Sequence, residues 1–314
     1  MSVRTLNLGL PSVRCVSSAS AGTSLRPFTL NRLAHRRGFC LAAGCLDVGV
    51  SGKSQRLRVL CFSSKSLDSS LDLPLLPFQP DEVLVPSESK TLHLYEARFL
   101  ALLEESLNKG QKQFVHFVLD PVPSSGSSTG ASYAARYGCL VYIENVEKLD
   151  IGALVSIRGI GRVSIMNMTQ TEPYLRGVAI PMQDGTDGSD SEIVSKVTAL
   201  KESLANLNNL EIKLKASQDE PLQTRIRSSM IWAEKEAPEV YSQAFIPGVS
   251  ERISFAALQP VSGSTQTEIL TLQRRKLWAM ATRDTSKRLN NGLQLVKHNI
   301  ALIAAKLAIQ SVEI

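Results

Sequence analysis

The sequence predicts an α+β protein: a curled, mostly antiparallel β-domain over residues 70–185, followed by an α-helical bundle subdomain over residues 190–314. Three observations predict it. Between Leu71 and Met182, apolar residues come in short runs cut by Pro and Gly, the period and punctuation of strands. After the polar linker "QDGTDGSDSE" (Gln183–Glu192) they recur at 4-3-4-3 spacing, the period of helices. Ahead of both, residues 1–65 hold eight Arg and two Lys against one acid, Asp47. Overall composition, 43% hydrophobic and 20% charged, is that of a globular chain, so the basic start is a local feature.

An Arg-rich, Ser-rich and acid-poor start describes an organellar transit peptide, placed here at residues 1–62 and expected to be disordered. The uncharged opening "MSVRTLNLGLPS" and "RVLC" at Arg58–Cys61 favour the plastid stroma (chloroplast), with the mitochondrion as the alternative. A disordered cytosolic tail would need no import. The segment carries Cys15, Cys40, Cys45 and Cys61, so cleavage would leave only Cys139, with neither a disulfide nor a zinc cluster. His35, His93, His116 and His298 share no metal-ligand spacing, and no cofactor is implied. The net charge of +6 belongs to this segment, because the rest of the chain holds 25 of the 35 basic and 28 of the 29 acidic residues. "GVSGKS" (Gly49–Ser54) resembles the end of a phosphate-binding loop but fails its pattern. The first glycine is replaced by Asp47, which repels phosphate, and no buried strand precedes it.

In order along the chain, Pro74, Pro77, Pro80 and Pro86 forbid a helix and make Leu73–Phe78 and Val83–Val85 short edge strands. From about Tyr95, Phe99, Leu100, Leu103 and Leu107 fall at helical spacing until Asn108-Lys109-Gly110. "QFVHFVL" (Gln113–Leu119) is a strand, and the apolar-poor stretch 120–132 is a mobile surface loop. Glycines at 138, 152, 159 and 161 punctuate three or four further strands. Asp150–Gly152 and Gly159–Gly161 are turn or bulge candidates, and Ile157, Val163, Ile165 and Val178 suit an inner face.

In the second half, Ile193, Val197, Leu200, Leu204 and Leu207 form one seam, with a Ser189/Glu192 capping box at its start. Leu289, Leu293, Val296, Ile300, Ile303 and Leu307 form another, entered at Asp284. Shorter helices fit Leu222–Glu236, Glu251–Leu258 and Gln266–Ala281. The seams are expected to pack within the chain, with a homodimer as the alternative. Ile300–Ile309 contains Lys306 and is far short of the ~20 apolar residues a membrane span needs, so it reads as a buried helix.

Leu73–Phe78, Val85-Pro86, "LHLYEARF" (Leu92–Phe99), the strand Gly138–Leu149, "GIGR" (Gly159–Arg162) and "EPY" (Glu172-Pro173-Tyr174) occur in an order that resembles the N-terminal domain of the Lon protease family. The positions carrying the resemblance are Leu73, Pro74, Pro77, Pro86, His93, Tyr95, Glu96, Arg98, Phe99, Gly159, Arg162, Glu172, Pro173 and Tyr174. The resemblance implies a PUA-like curled β-domain and a helical part that grip protein segments. A full Lon protease adds an ATPase with a true P-loop and a Ser–Lys protease. This sequence shows neither, and no Ser can be assigned an activating Lys.

Read as residues, His93 is a hydrogen-bonded structural histidine and Glu96 favours the start of a helix, with Arg98 pairing locally. Tyr95 and Phe99 are core anchors, Trp232 and Trp278 pack, and "GIGRV" is a turn with Arg162 exposed. No catalytic set emerges. The expectation is a non-enzymatic adaptor that binds protein clients or a separate organellar protease, through the edge near Pro74–Pro86. A PUA-like RNA binder is the second reading, disfavoured by the acidic body and by aromatic content of 5%. Its patch would be Arg274, Arg275, Lys276, Arg283, Lys287 and Arg288. An ATP-dependent protease, by association with the family, is the third.

Overall fold

The computed structural model describes residues 69–312 apart from 110, 123–131, 186–189, 217–223 and 236–242, with backbone alone for short stretches between residues 4 and 60. The expected transit peptide and its cleavage site fall outside the residues whose side chains are described, as do Ser189 and most of the 120–132 loop.

Six strands organise the first half: β1 (Leu71–Phe78), β2 (Ser89–Leu94), β3 (Gln113–Val122), β4 (Ser132–Lys148), β5 (Ala153–Gln170) and β6 (Leu175–Pro181). Pairing runs β5–β6–β1–β3–β4 and returns to β5, which closes a ring, while β2 adds to the first half of β5. Only β1–β3 is parallel among these pairs. The curled, mostly antiparallel α+β expectation is what the chain builds.

The strand β1 is not an edge. It pairs with β6 through Leu71–Leu75 and with β3 through Leu75–Phe78. Its prolines are tolerated because each lies where one neighbour has ended: Pro74 pairs only with β6, Pro77 only with β3. Val83–Val85 is not a strand either. It follows a 3-10 turn (Pro80–Glu82) as a buried extended segment, and Pro86 is buried with it.

Alternate residues of one strand enter different cores. Leu75, Val115, Phe117 and Leu140 join one cluster, while Leu76, Phe78, Phe114, Val118 and Val141 join another that includes Phe99 of α1 (Ala97–Asn108). Strands buried on both faces read as nearly continuous apolar runs, which is why "QFVHFVL" barely alternates. β5 changes face midway. Leu140 pairs with Gly161 and Val141 with Gly159, so Ile160 is a bulge. Odd-numbered Val155 and Ile157 therefore join the α1 cluster, whereas Val163 and Ile165 join the other.

The second half is α2 (Asp190–Ala216), α3 (Arg225–Glu234), α4 (Val249–Ala256), α5 (Gln266–Ala281) and α6 (Thr285–Val312). Asp284 accepts from Lys287 N at 2.9 Å at the start of α6, and Thr265 and Glu268 form a capping box on α5. The two seams meet each other: Leu200, Leu204, Leu207, Leu289, Val296 and Ile303 share one core. They are thus occupied within the chain. Gly292 permits this, since a Cβ there would stand 2.9 Å from Cβ of Ala257. α6 is the one described helix long and apolar enough to cross a membrane by length and composition alone. Its last turns are not the buried helix expected, because Ala301, Ala304, Ala305 and Ile309 are exposed.

Candidate functional site

The "LHLYEARF" residues lie at one end of the ring. His93 Nε2 meets the Ile151 carbonyl at 3.0 Å, and its ring is tilted against half-buried Tyr95 with centroids 5.5 Å apart. Glu96 occupies the N-cap of α1 without a side-chain cap bond; its carboxylate pairs with Arg98 at 2.7 Å, and Arg98 lies over the Phe99 ring. The β4–β5 turn is pressed against this end. Gly152 has φ +84°, and a Cβ there would stand 2.2 Å from the Leu94 carbonyl oxygen. The turn holds Leu149 and Ile151 out, Ile151 at 74% exposure. Glu172 and Pro173, joined by a cis peptide, are exposed, whereas Tyr174 is buried.

Beside this apolar tip runs the outer edge of β2. One side of β2 pairs with β5 from Ser89–Arg158 to Leu94–Ala153. On the other side, the described residues place only the two-residue parallel pairing of Arg4–Thr5 with Leu92–His93. Leu92 and Leu94 anchor the strand in the core, while Thr91 and His93 point the other way. An edge of this kind offers unpaired N–H and C=O groups to an extended chain.

Arg162 is not the exposed turn residue expected. The Ile160 bulge turns it toward the helices, where it is 1% exposed. Its guanidinium donates to Glu251 at 2.7 Å, to the carbonyls of Thr282 (2.6 Å) and Met280 (3.2 Å), and to Asp184. Arg288 reaches Asp184 from α6 and donates to Ser254 Oγ at 2.7 Å and to the Thr282 carbonyl at 2.9 Å. Both guanidinium groups lie over the ring of Phe255. The quartet is neutral, yet its carboxyls diverge. Burial raises Asp184, but the Arg288 hydrogen bond and both arginine charges outweigh it and hold the group below its usual value. Burial wins at Glu251, which stands above its usual value despite Arg162.

Two further contacts cross the same boundary. Lys276 of α5 pairs with Glu88 at 2.5 Å, both buried. Arg158 of β5 joins Glu144 (2.7 Å), the Ser87 carbonyl (3.1 Å) and Ser228 Oγ of α3 (3.1 Å). Gly159 holds the 85–88 turn against β5. Ser87 N donates to the Gly159 carbonyl and Gly159 N to the Glu88 carbonyl, both at 2.9 Å. A Cβ on Gly159 would come within 2.3 Å of the Val85 carbonyl oxygen, and one on Gly161 within 2.0 Å of that of Phe245. Close approach, not positive φ, is what these glycines supply.

Cys139 is buried and its thiol is pushed far up, by burial first and Glu88 second, so it supplies no thiolate. No metal-holding group of three His, Cys, Asp or Glu occurs among the described residues. A lysine–hydroxyl contact that the sequence did not reveal does form: Lys196 Nζ donates to Ser286 Oγ at 2.6 Å. Lys196 also pairs with Glu192 at 2.5 Å, one turn back on the same helix. The expected basic patch is dispersed, since Lys276 and Arg288 are buried on carboxylates and Arg275 bonds Asn291. Trp232 packs under Arg252, but Trp278 is 41% exposed.

Compared with known proteins, residues 72–245 match the family model of the ATP-dependent protease La (LON) substrate-binding domain. No curated protein matches the chain. Among solved structures, a Lon N-terminal domain protein from Xanthomonas campestris is similar at 17% identity and TM-score 0.40, covering 71% of this chain and 98% of that one. The N-terminal domain of Mycobacterium avium complex Lon protease is similar at 13% identity and TM-score 0.37, covering 72% and 98%. The matched model is the substrate-binding domain, and no protease or ATPase domain is detected beside it.

Proposed function

The chain belongs to the ATP-dependent protease La (LON) substrate-binding domain family, and on that premise we propose that it is a protein-binding module that takes extended client segments along the outer edge of β2. The observation that carries the reading is the edge itself: a strand anchored by Leu92 and Leu94, lacking a full-length outer partner among the described residues, beside the exposed Ile151. Backbone groups supply affinity without regard to sequence, and the Leu149–Ile151 tip favours clients with an apolar side chain. This replaces the β1 edge expected from the sequence, which is paired on both sides.

The basic start further supports a plastid setting, where the module would serve as adaptor or accessory factor to a separate protease. Import of the full chain into isolated chloroplasts, with processing near residue 62, tests the compartment; import by mitochondria alone overturns it.

Binding is tested with the full chain and a labelled, permanently unfolded polypeptide, alongside a single-stranded RNA, at low and moderate salt. The expected result is salt-tolerant polypeptide binding that weakens several-fold in Ile151→Glu, an exposed change that spares the fold. RNA binding that falls steeply with salt, without polypeptide binding, overturns the reading.

A further inference from the structure

α5 carries a second feature that the strand edge does not use. Leu270, Arg274 and Trp278 recur at i, i+4 and i+8 and are all exposed, the two apolar side chains at 40% and 41%. They form a stripe about 12 Å long on one face of the helix. The opposite face is committed to the core through Leu272, Ala279 and Met280, and Lys276 is held by Glu88. An indole left in water on a soluble surface is costly, and Trp and Arg are the side chains that dominate protein interfaces.

Two charges on and after the stripe are uncompensated. Arg274 and Arg283 are exposed, and neither side chain meets a carboxylate among the described residues. Lys287 is exposed as well but shares Asp284 at 3.2 Å. The stripe therefore has an apolar side chain at each end and a cation between them, with Arg283 just past the end of the helix, on a body whose remaining composition is acidic.

We propose that the Leu270–Arg274–Trp278 face of α5 docks an acidic segment of a partner protein that carries an apolar anchor. Trp278 and Leu270 cover the anchor; Arg274 and Arg283 meet the carboxylates. Nucleic acid fits less well. The cations that would have lined a phosphate track, Lys276 and Arg288, are buried, and one indole is a single stacking platform. The surface is independent of the β2 edge, so the two readings can fail separately.

The test is fluorescence anisotropy with the full chain and a labelled synthetic peptide of alternating Glu-rich turns and Leu. A sequence-matched Lys-for-Glu peptide and a single-stranded RNA serve as comparisons. Expected is binding of the acidic peptide that falls at least tenfold in Arg274→Glu and in Trp278→Ala, with unchanged far-UV circular dichroism. The basic N-terminal segment is the same in every variant, so only the loss on substitution counts. Ile151→Glu should leave this binding untouched. Equal binding by the variants, equal binding of the Lys peptide, no binding of either peptide, or RNA binding that the same substitutions abolish each overturns the proposal.

Discussion

Two buried side chains set the terms at the scale of single residues. Arg162 holds the carboxylates of Glu251 and Asp184 at a fully enclosed boundary. Arg162→Met would leave them partly uncompensated in a dry site, and should cost about 3–5 kcal/mol by urea unfolding. His116 is the other. It is stacked on Phe78 with ring centroids 3.7 Å apart, and neither ring nitrogen has a hydrogen-bond partner. Burial first, then the charges of Lys90 and Lys276, hold it well below the usual imidazole value. The folded chain thus refuses a proton that the unfolded chain accepts below about pH 6.5, and stability falls as pH drops through that point. His116→Phe keeps the stack and should flatten the stability profile between pH 7 and pH 5. Asp184 adds a loss only at lower pH, while Glu251, whose value is raised, acts with opposite sign. Both are common to the two proteins and cancel in the comparison. Neither Arg162 nor His116 announced its surroundings in sequence: an arginine between glycines has the chemistry of a turn, and a histidine in an apolar run looks like any strand residue.

Among elements, β5 repays the closest reading. Its glycines were visible as punctuation and its bulge as a candidate, but the direction in which the bulge turns Arg162 depends on which face the helices cover. Gly159→Ala and Gly161→Ala would each force a Cβ into a carbonyl oxygen, at 2.3 and 2.0 Å. Thermal melts should show losses of about 1–3 kcal/mol or more for each. Gly248→Ala, where nothing lies within 4 Å, should stay within about 1 kcal/mol. The helical seams were legible almost residue for residue, because each helix buries one stripe and the heptad spacing is written locally. β1 was misplaced because proline reports a missing donor but not whether a neighbour stands opposite it. That depends on strands β3 and β6, far along the chain.

At the scale of the molecule, the ring and the helices share one interior: Phe255, Leu258 and Met280 pack in the same cluster as Leu92, Phe114 and Ile157. Two ion pairs, Arg162–Glu251 and Lys276–Glu88, and the hydrogen bond from Arg158 to Ser228 cross the same boundary. Hydrogen exchange should therefore show β5 and α4 amides opening with the same free energy, and Lys276→Met should lower both together; independent opening of the halves would separate them. Composition divided the chain into a β part and an α part, but could not show that Phe255, Leu258 and Met280 of the helical part complete a cluster of the β part. The bulge at Ile160 carries a further consequence. A strand with one surplus residue keeps a reading frame of side chains, and both halves are built in register with it. Substitutions along β5 change a letter, and deleting Ile160 would remove only the surplus and leave Gly161, Arg162 and Val163 opposite their present partners, whereas deleting a paired residue such as Ser164 would shift the frame and turn Ile165 away from its core.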